Sequence, residues 1–384
     1  MQEFFEFTLG SRVLYKAGLA RELGQVVEER GRQRAFVVAD RGVVSAGLLA
    51  PVLSGLERNV AVVGVFDDVP ANSSLGTVLA GAAAAREAQA DILVAVGGGS
   101  PIDTAKGMRI VLTLGGSIPE YEGYNVISEP LVPMIAVPTT AGTGSEVTSI
   151  AVIKDEEAGR KISIVSRYVA PDIAALDPEL TLTLPPRLTA ATGMDALSHA
   201  IETYVSTENN PFSDSLALTA IDMIATHLRD AVQEGSNLEA RGQMLMAACM
   251  AGIACSNSLF GVIHAISHAI GGRYPVHHGT LNSIVMPYGM QFNSVVAPER
   301  YVRIARMMGV NAGGRSDEEV IADGINAVRT LAADCGLPLR LRDVEVPEEA
   351  LPELAALALV EAAIFNNPRS ATEGELLELL RAAW

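Results

Sequence analysis

The chain has 384 residues, of which 49% are hydrophobic and 19% charged, and its net charge is −17. This length exceeds one compact core, so we expect two globular domains. The acidic surface disfavours nucleic acid and anionic membranes as partners, although backbone N–H groups can still hold an anionic cofactor locally.

The first part of the chain alternates buried-strand patterns with helical patterns. The predicted strands are residues 35–39, 60–66, 92–96 and 134–137. The helical patterns before and between them cover residues 19–30, 75–88 and 103–112. Continuous apolar strands separated by helices indicate a parallel sheet that is covered on both faces.

The pattern changes near residue 183, after which apolar residues recur at helical spacing. The predicted helices are residues 187–206, 212–233, 238–256, 259–271 and 281–297, with more towards the end of the chain. The sequence therefore predicts an α/β domain over residues 1–182 and an all-helical domain over residues 183–384.

We expect a cytoplasmic protein. The first residues lack the basic and apolar regions of a signal peptide, and no apolar run is long enough to span a bilayer. Cys249, Cys255 and Cys335 form neither a disulfide framework nor a C-x-x-C pair, so we expect buried thiols.

Three glycines, Gly97 to Gly99, follow the predicted strand 92–96. Ser100 is the predicted N-cap of the next helix, with Pro101 at its first position and Asp103 at its third, where Asp103 could complete a capping-box-like pair. The segment matches neither the Walker loop nor the G-x-G-x-x-G fingerprint. A tight turn would explain it, but three glycines exceed what a turn requires, so we predict phosphate binding by backbone N–H groups.

A second loop rich in glycine and hydroxyl groups, residues 138–146, follows the strand 134–137. Two such loops at the carboxyl ends of parallel strands indicate a ligand site, although helix-capping threonines would give the same pattern. Asp40 ends the strand 35–39, where its carboxylate could bind an adenosine ribose and favour NAD over NADP. A helix-cap or turn role explains Asp40 equally well on spacing alone.

Four of the six histidines fall within one short stretch of the second domain. Asp195 and His199, like His264 and His268, are four residues apart, so each pair lies on one helix face. A glycine-rich turn lets His278 fold back towards His264. Asp195, His199, His264 and His278 would offer one divalent cation a carboxylate and three neutral imidazoles, which suits Fe(II), Zn(II), Mn(II) or Co(II).

Over nearly the whole chain, these motifs resemble the iron-containing (group III) alcohol dehydrogenase family. The segments that carry the resemblance are residues 97–103, 138–146, 191–202, 261–279 and 366–369. The chain departs from the family pattern at Ser73, where a proline commonly follows the asparagine, and at His277, whose role is open. Neither departure touches the four candidate ligands, so they bear on substrate range.

The resemblance implies an α/β nucleotide-binding domain with a parallel sheet, an all-α C-terminal domain and an active site in the cleft. It implies reversible hydride transfer between NAD(H) and a small primary alcohol or aldehyde, at one divalent metal (Fe(II), or Zn(II) or another ion), in a homodimer or larger homo-oligomer. It implies that the metal is bound by Asp195, His199, His264 and His278. It also implies that His268 transfers the proton. The cofactor-binding residues that it implies are Asp40, Gly97, Gly98, Gly99, Ser100, Asp103, Thr139, Thr140, Thr143, Ser145 and Lys161.

Alternatives remain at this point. One is a polyol, diol or hydroxy-acid dehydrogenase of the same superfamily, and another is a non-catalytic NAD or metal sensor. A dehydroquinate-synthase-like lyase would need a basic pocket, for which the metal region offers only Arg273. The apolar residues Phe260 and Ile150, which could equally be core, favour a small and fairly apolar alcohol.

Overall fold

The computed structural model describes residues 4–384. The chain forms two compact units. One unit is Thr8–Thr183, and the other is Leu184–Trp384 together with residues 4–7. The ring centroids of Phe5 and Phe7 lie 6.0 and 5.2 Å from that of Phe212, which attaches the first described residues to the second unit.

The first unit is built on parallel β-structure. Its strands are β1 Arg12–Tyr15, β2 Arg34–Asp40, β3 Ala61–Val69, β4 Ile92–Gly97, β5 Gly123–Tyr124, β6 Met134–Pro138, β7 Ile150–Asp155, β8 Arg160–Val165 and β9 Ile173–Leu176. Within the described residues, six strands pair in parallel in the order β1-β9-β6-β4-β2-β3. A smaller sheet has the order β5-β8-β7.

Helices cover both faces of the larger sheet. They are α1 Leu23–Glu29, α2 Arg41–Ser45, α3 Leu49–Leu56, α4 Leu75–Glu87 and α5 Gly99–Leu114, with 3₁₀ turns at Leu19–Glu22, Ile118–Tyr121 and Pro178–Thr181. Successive residues of β2 belong to different cores: Val38 shares one core with Met108 of α5, and Val37 shares the other with Leu23 of α1. Burial on both faces explains the continuous apolar strands and confirms the predicted α/β sheet.

The predicted start of α5 is wrong. The helix begins at Gly99 with Gly98 as its N-cap, so Ser100 and Pro101 occupy its second and third positions. The Ser100 hydroxyl donates to the carbonyl of Ala71 at 2.7 Å instead of capping the helix. The cause is Gly97, whose φ of +148° turns the chain in a way that favours glycine and starts the helix earlier.

The second unit is helical, as predicted. Its helices are α6 Pro186–Val205, α7 Pro211–Gln233, α8 Leu238–Ser258, α9 Val262–Gly271, α10 His278–Ser294, α11 Pro298–Met307, α12 Asp317–Asp334, α13 Leu351–Val360 and α14 Glu373–Ala383, with 3₁₀ turns at Leu341–Val344, Glu348–Ala350 and Ala362–Asn366. Within residues 4–384, no single helix is long and apolar enough to cross a membrane; α8 and α9 pass that test of length and composition only as a pair bent by 101°.

Two predicted helix starts shift in the structure. Helix α9 begins three residues later than expected, because Leu259 adopts a φ of +59° and interrupts the run from α8. Helix α10 begins three residues earlier than expected, at His278. The earlier start places His278 in the first turn of a helix, with Asn282 one turn later on the same face.

Helix α10 approaches α6 closely at Gly279. A Cβ atom added to Gly279 would lie 2.2 Å from the carbonyl oxygen of Ala191 and 3.0 Å from the Cβ of Asp195. Only glycine allows this approach, since the nearest atoms are backbone. Because His278 precedes Gly279, the same contact brings His278 towards Asp195.

Replacing Gly279 by Ala should force α10 away from α6. We expect the free energy of unfolding to fall by about 3 kcal/mol, the upper end of overpacking costs, because a backbone carbonyl cannot yield as a side chain does. Thermal and urea unfolding measure the effect. Gly374→Ala is the matched control: nothing lies within 4 Å of its added Cβ, so its stability should be unchanged or slightly higher. Equal stabilities of the two variants would contradict this account of the packing.

Candidate metal centre and cofactor loops

Helix α6 presents three polar side chains in line. Asp195, His199 and Glu202 stand at positions i, i+4 and i+7, so they project from the same face of the helix. All three residues are buried. Polar groups in such surroundings need partners that offset their lost solvation.

Helices α9 and α10 add the imidazoles of His264 and His278 to this face. Asp195, His199 and His264 each offer a ligand atom, and these atoms all lie within 4.8 Å of one another. The Nε2 of His278 is 3.7 Å from the Oδ1 of Asp195. The structure therefore brings the four predicted ligands together, three as a buried group and His278 at its partly exposed edge.

Glu202, to which the sequence reasoning assigned no role, holds His264 in place. Its carboxylate accepts the backbone N–H groups of Ile263 and His264 at 2.6 and 3.2 Å. It also lies 2.5 Å from the Nδ1 of His264. Burial raises the pKa of Glu202 to about 7, although these backbone N–H groups oppose the rise. A carboxylate acceptor at Nδ1 keeps the imidazole proton there, which leaves a lone pair on Nε2.

Asn282 is the second residue that the sequence reasoning missed. Its Nδ2 donates to the Oδ1 of Asp195 at 2.7 Å and lies 3.2 and 3.1 Å from the Nε2 atoms of His264 and His278. Three acceptor atoms therefore converge on one donor, as they would on a cation. The Oδ1 of Asn282 is buried and has no hydrogen-bond partner.

The charges at this centre suit a divalent cation. Burial lowers the pKa of His264 well below its ordinary value, and the neighbouring His199 and His278 lower it further, so His264 is neutral. Burial raises the pKa of Asp195, but His199, His278 and Asn282 outweigh burial and lower it overall, so Asp195 is ionised. Neutral imidazoles and one carboxylate are the donor set that Fe(II) and Zn(II) accept.

His268 lies beside the ligand group. Its ring is 5.3 Å from that of His278 and 5.9 Å from that of His264, measured between centroids. Its Nδ1 is 3.5 Å from the Oε2 of Glu361, and its side chain is 30% exposed. His277 is the exposed N-cap residue of α10. His268 thus has access to solvent that the buried His264 lacks.

In the first unit, the two glycine loops lie side by side. Strands β4 and β6 are neighbours, with Gly97 opposite Pro138, so the loops leave the same edge of the sheet. A Cβ added to Gly98 would lie 3.2 Å from the Thr140 hydroxyl, and one added to Gly99 would lie 3.2 Å from the Thr143 methyl. No side chain caps the start of α5, so its first N–H groups remain available to an anion.

Asp103 does not form the predicted capping pair. It is the fifth residue of α5, and its carboxylate accepts the Ser145 hydroxyl at 2.5 Å and the Val152 N–H at 3.1 Å. The ammonium of the buried Lys106 lies 3.5 Å from Asp103 and 3.0 Å from the Thr148 hydroxyl. These contacts tie α5 to the second loop and to β7.

Asp40 caps a helix and also borders the glycine loop. Its Oδ1 accepts the N–H of Val43 at 2.9 Å, which confirms the helix-cap reading. Its Oδ2 lies 3.3 Å from the position that a Cβ on Gly97 would take. Asp40 therefore lies next to the glycine loop, which is compatible with binding of an adenosine ribose. The N–H of Thr139 donates to the Gly97 carbonyl at 3.0 Å. Lys161 stands apart from these loops in sequence, as an exposed residue of β8 in the smaller sheet.

A buried centre of imidazole and carboxylate donors, in a chain that also carries a phosphate-type glycine loop, defines a metal-dependent enzyme linked to a nucleotide cofactor. The family model described as iron-containing alcohol dehydrogenase matches residues 10–178. The model of the C-terminal part of the Fe-containing alcohol dehydrogenase family matches residues 189–384. The chain therefore belongs to the iron-containing alcohol dehydrogenase family.

Individual relatives match over almost their whole length. The chain is 40% identical over 364 residues to 1,3-propanediol dehydrogenase of Klebsiella pneumoniae, covering 94% of each. It is 37% identical over 366 residues to the NAD-dependent methanol dehydrogenase of Bacillus methanolicus, covering 95% of this chain and 96% of that one. A crystal structure of a 1,3-propanediol oxidoreductase superposes with a TM-score of 0.96 at 38% identity, covering 100% of both chains.

These matches confirm the predicted family, fold and reaction class. The protein is an NAD-linked, metal-containing alcohol dehydrogenase, an oxidoreductase that acts on CH–OH groups. Neither the lyase nor the sensor alternative is supported by them.

Replacing Glu202 by Gln should weaken metal binding while the fold survives. Gln keeps one oxygen for the Ile263 N–H, but it cannot polarise the Nδ1 of His264 as the second carboxylate oxygen does. We expect the affinity for Co(II), measured by competition with a chelator, to fall about 10–100-fold. Glu208→Gln, at an exposed residue just beyond α6, is the matched control. An unchanged affinity in the Glu202 variant would remove its orienting role.

Proposed function

We propose that this enzyme interconverts a small primary alcohol and its aldehyde with NAD(H), at one divalent ion, Fe(II), held by Asp195, His199, His264 and His278. The observation that carries the proposal is the convergence of a buried carboxylate and several imidazoles on one point. When bound, the ion supplies a Lewis acid for the alcohol oxygen, and NAD supplies the hydride acceptor.

The residues around the candidate ligands shape this site and exclude water from one side of it. Glu202 orients His264, as described above. The ring of Phe260 stacks on His264 at 4.1 Å and lies 5.2 Å from His199, measured between centroids. An aromatic wall against two imidazoles excludes water on that side and favours a small substrate with an apolar part.

The alcohol proton has to leave when an aldehyde forms, and His268 is the group that we assign to its transfer. The imidazole is partly exposed, so it can exchange a proton with water, and it packs beside His264 and His278. The carboxylate of Glu361 lies 3.5 Å from the Nδ1 of His268, so a second group that can carry a proton stands next to the ring.

For NAD, we assign the pyrophosphate to Gly97, Gly98, Gly99 and Ser100, at the uncapped start of α5. Asp40, which borders this loop, would accept hydrogen bonds from the adenosine ribose. The other cofactor contacts that we propose are Asp103, Thr139, Thr140, Thr143, Ser145 and Lys161. Of these, Asp103 and Ser145 bind each other, so they shape the second loop as well.

A short diol is the second candidate substrate, since one relative is named 1,3-propanediol dehydrogenase. Enzyme purified anaerobically, with its metal content measured, should be assayed on short alcohols, diols and hydroxy acids.

We further propose a homodimer or larger homo-oligomer in the cytoplasm. Buried thiols at Cys249, Cys255 and Cys335 suit that reducing compartment.

Replacing His264 by Ala should remove metal-dependent turnover and leave cofactor binding intact. The variant loses one ligand and the contact with Glu202, so we expect kcat/KM to fall by about a thousandfold or more. NADH binding, followed by fluorescence, should not change. His227→Ala, at a half-buried residue of α7, is the matched control. Full activity of the His264 variant would refute the metal site.

Replacing Asp40 by Ser should relax the preference for NADH over NADPH. Ser keeps the N-cap of α2 but removes the charge that repels a 2′-phosphate. We expect kcat/KM for NADPH to rise roughly tenfold or more relative to NADH. Asp222→Ser, at an exposed residue of α7, tests for a general effect of charge. A wild-type enzyme that already prefers NADPH would overturn the role of Asp40.

A further inference from the structure

The helical unit contains a cavity on a face of α10 that the metal centre does not use. Its volume is about 270 Å³, and its wall includes Ser283 of α10, Arg329 of α12 and Arg340. Ser283 follows Asn282 directly, so their side chains leave α10 about 100° apart. The cavity is therefore a different place from the metal centre.

Two arginines at this wall lack a carboxylate partner. In the part of the chain that the structure describes, no Asp or Glu oxygen lies within 4.0 Å of the guanidinium of Arg329 or Arg340. Arg329 lies 5.0 Å from the ring centre of Tyr288, and Arg340 donates to the carbonyl of Ala382. A guanidinium has five N–H donors, so both retain free ones. Unmatched cations are notable in a chain of net charge −17.

Ser283 lies in the same wall and carries a hydroxyl without a hydrogen-bond partner. The residue is 2% exposed, and its Oγ has no hydrogen-bond partner. Serine in a helix often donates to the carbonyl one turn earlier, and this one does not. A buried hydroxyl without a partner is unfavourable unless a ligand completes it.

The rest of the wall is partly apolar, with Ile284, Pro287 and Leu339. An inorganic anion would leave these side chains uncovered, whereas an anion with a short hydrocarbon chain would cover them. Guanidinium groups bind carboxylates in a matching planar geometry. We propose that this cavity is a second ligand site, which binds a small organic carboxylate through Arg329, Arg340 and Ser283.

Isothermal titration of the metal-loaded enzyme with butyrate tests the proposal. We expect one site per chain for which Arg329→Met and Ser283→Ala each weaken binding by tenfold or more. Arg12→Met, an exposed arginine in the other unit, should leave binding unchanged. His264→Ala should also leave it unchanged. If butyrate bound at the metal centre instead, this variant would lose that binding, so it distinguishes the two sites.

Two further probes test the chemistry of the ligand. Butyramide has the shape of butyrate without its charge, and inorganic phosphate has the charge without the hydrocarbon chain; both should bind at least tenfold more weakly than butyrate at this site. Absence of butyrate binding, loss of binding in His264→Ala alone, or phosphate binding more tightly than butyrate would overturn the proposal. Ser283→Ala removes a single oxygen, so it decides the matter if Arg329→Met fails to fold. Because the test measures butyrate binding, its outcome does not depend on the reaction proposed above.

Discussion

The buried carboxylate of Glu202 is the contact on which the metal centre depends. It projects from α6 and accepts the N–H groups of Ile263 and His264 near the start of α9, so it joins two helices that each carry candidate metal ligands. The positive end of the α9 dipole favours the charged carboxylate, which offsets part of the cost of its burial. Asn367 completes this helix start by accepting the Val262 N–H at 3.1 Å, and its own amide is paired with Asn293. His264 is therefore held by backbone and side-chain contacts before any ion binds.

In each unit, the N–H groups at the start of one helix contribute to a candidate ligand site, but in different ways. In the helical unit, side chains from elsewhere cap the start of α9, and its N–H groups are satisfied inside the protein. In the α/β unit, the start of α5 has no side-chain cap, and its glycines let the threonines of the second loop approach closely. The capped helix start fixes a candidate ligand, His264, whereas the uncapped one suits an anionic cofactor.

The sequence predicted the strands, most helices and the clustering of the four candidate ligands, because these depend on local periodicity and on histidine spacing. It predicted the start of α5 wrongly, since Ser100 is a good cap by type, while the backbone turn at Gly97 decides where the helix begins. Glu202 and Asn282 were missed for another reason. Each lies at helical spacing from a ligand, seven residues after Asp195 and four after His278, so the signal was present. Their partners lie on other helices, and no spacing within one helix predicts such contacts.

Anomalous X-ray scattering from crystals of the metal-loaded enzyme tests the central claim most directly. The account predicts one ion per chain, bound about 2.0–2.2 Å from a carboxylate oxygen of Asp195 and from the Nε2 atoms of His199, His264 and His278. The Nδ1 of His264 should remain hydrogen-bonded to the carboxylate of Glu202. An ion bound elsewhere, or a fully loaded and active enzyme whose ion does not touch His264, would contradict the account.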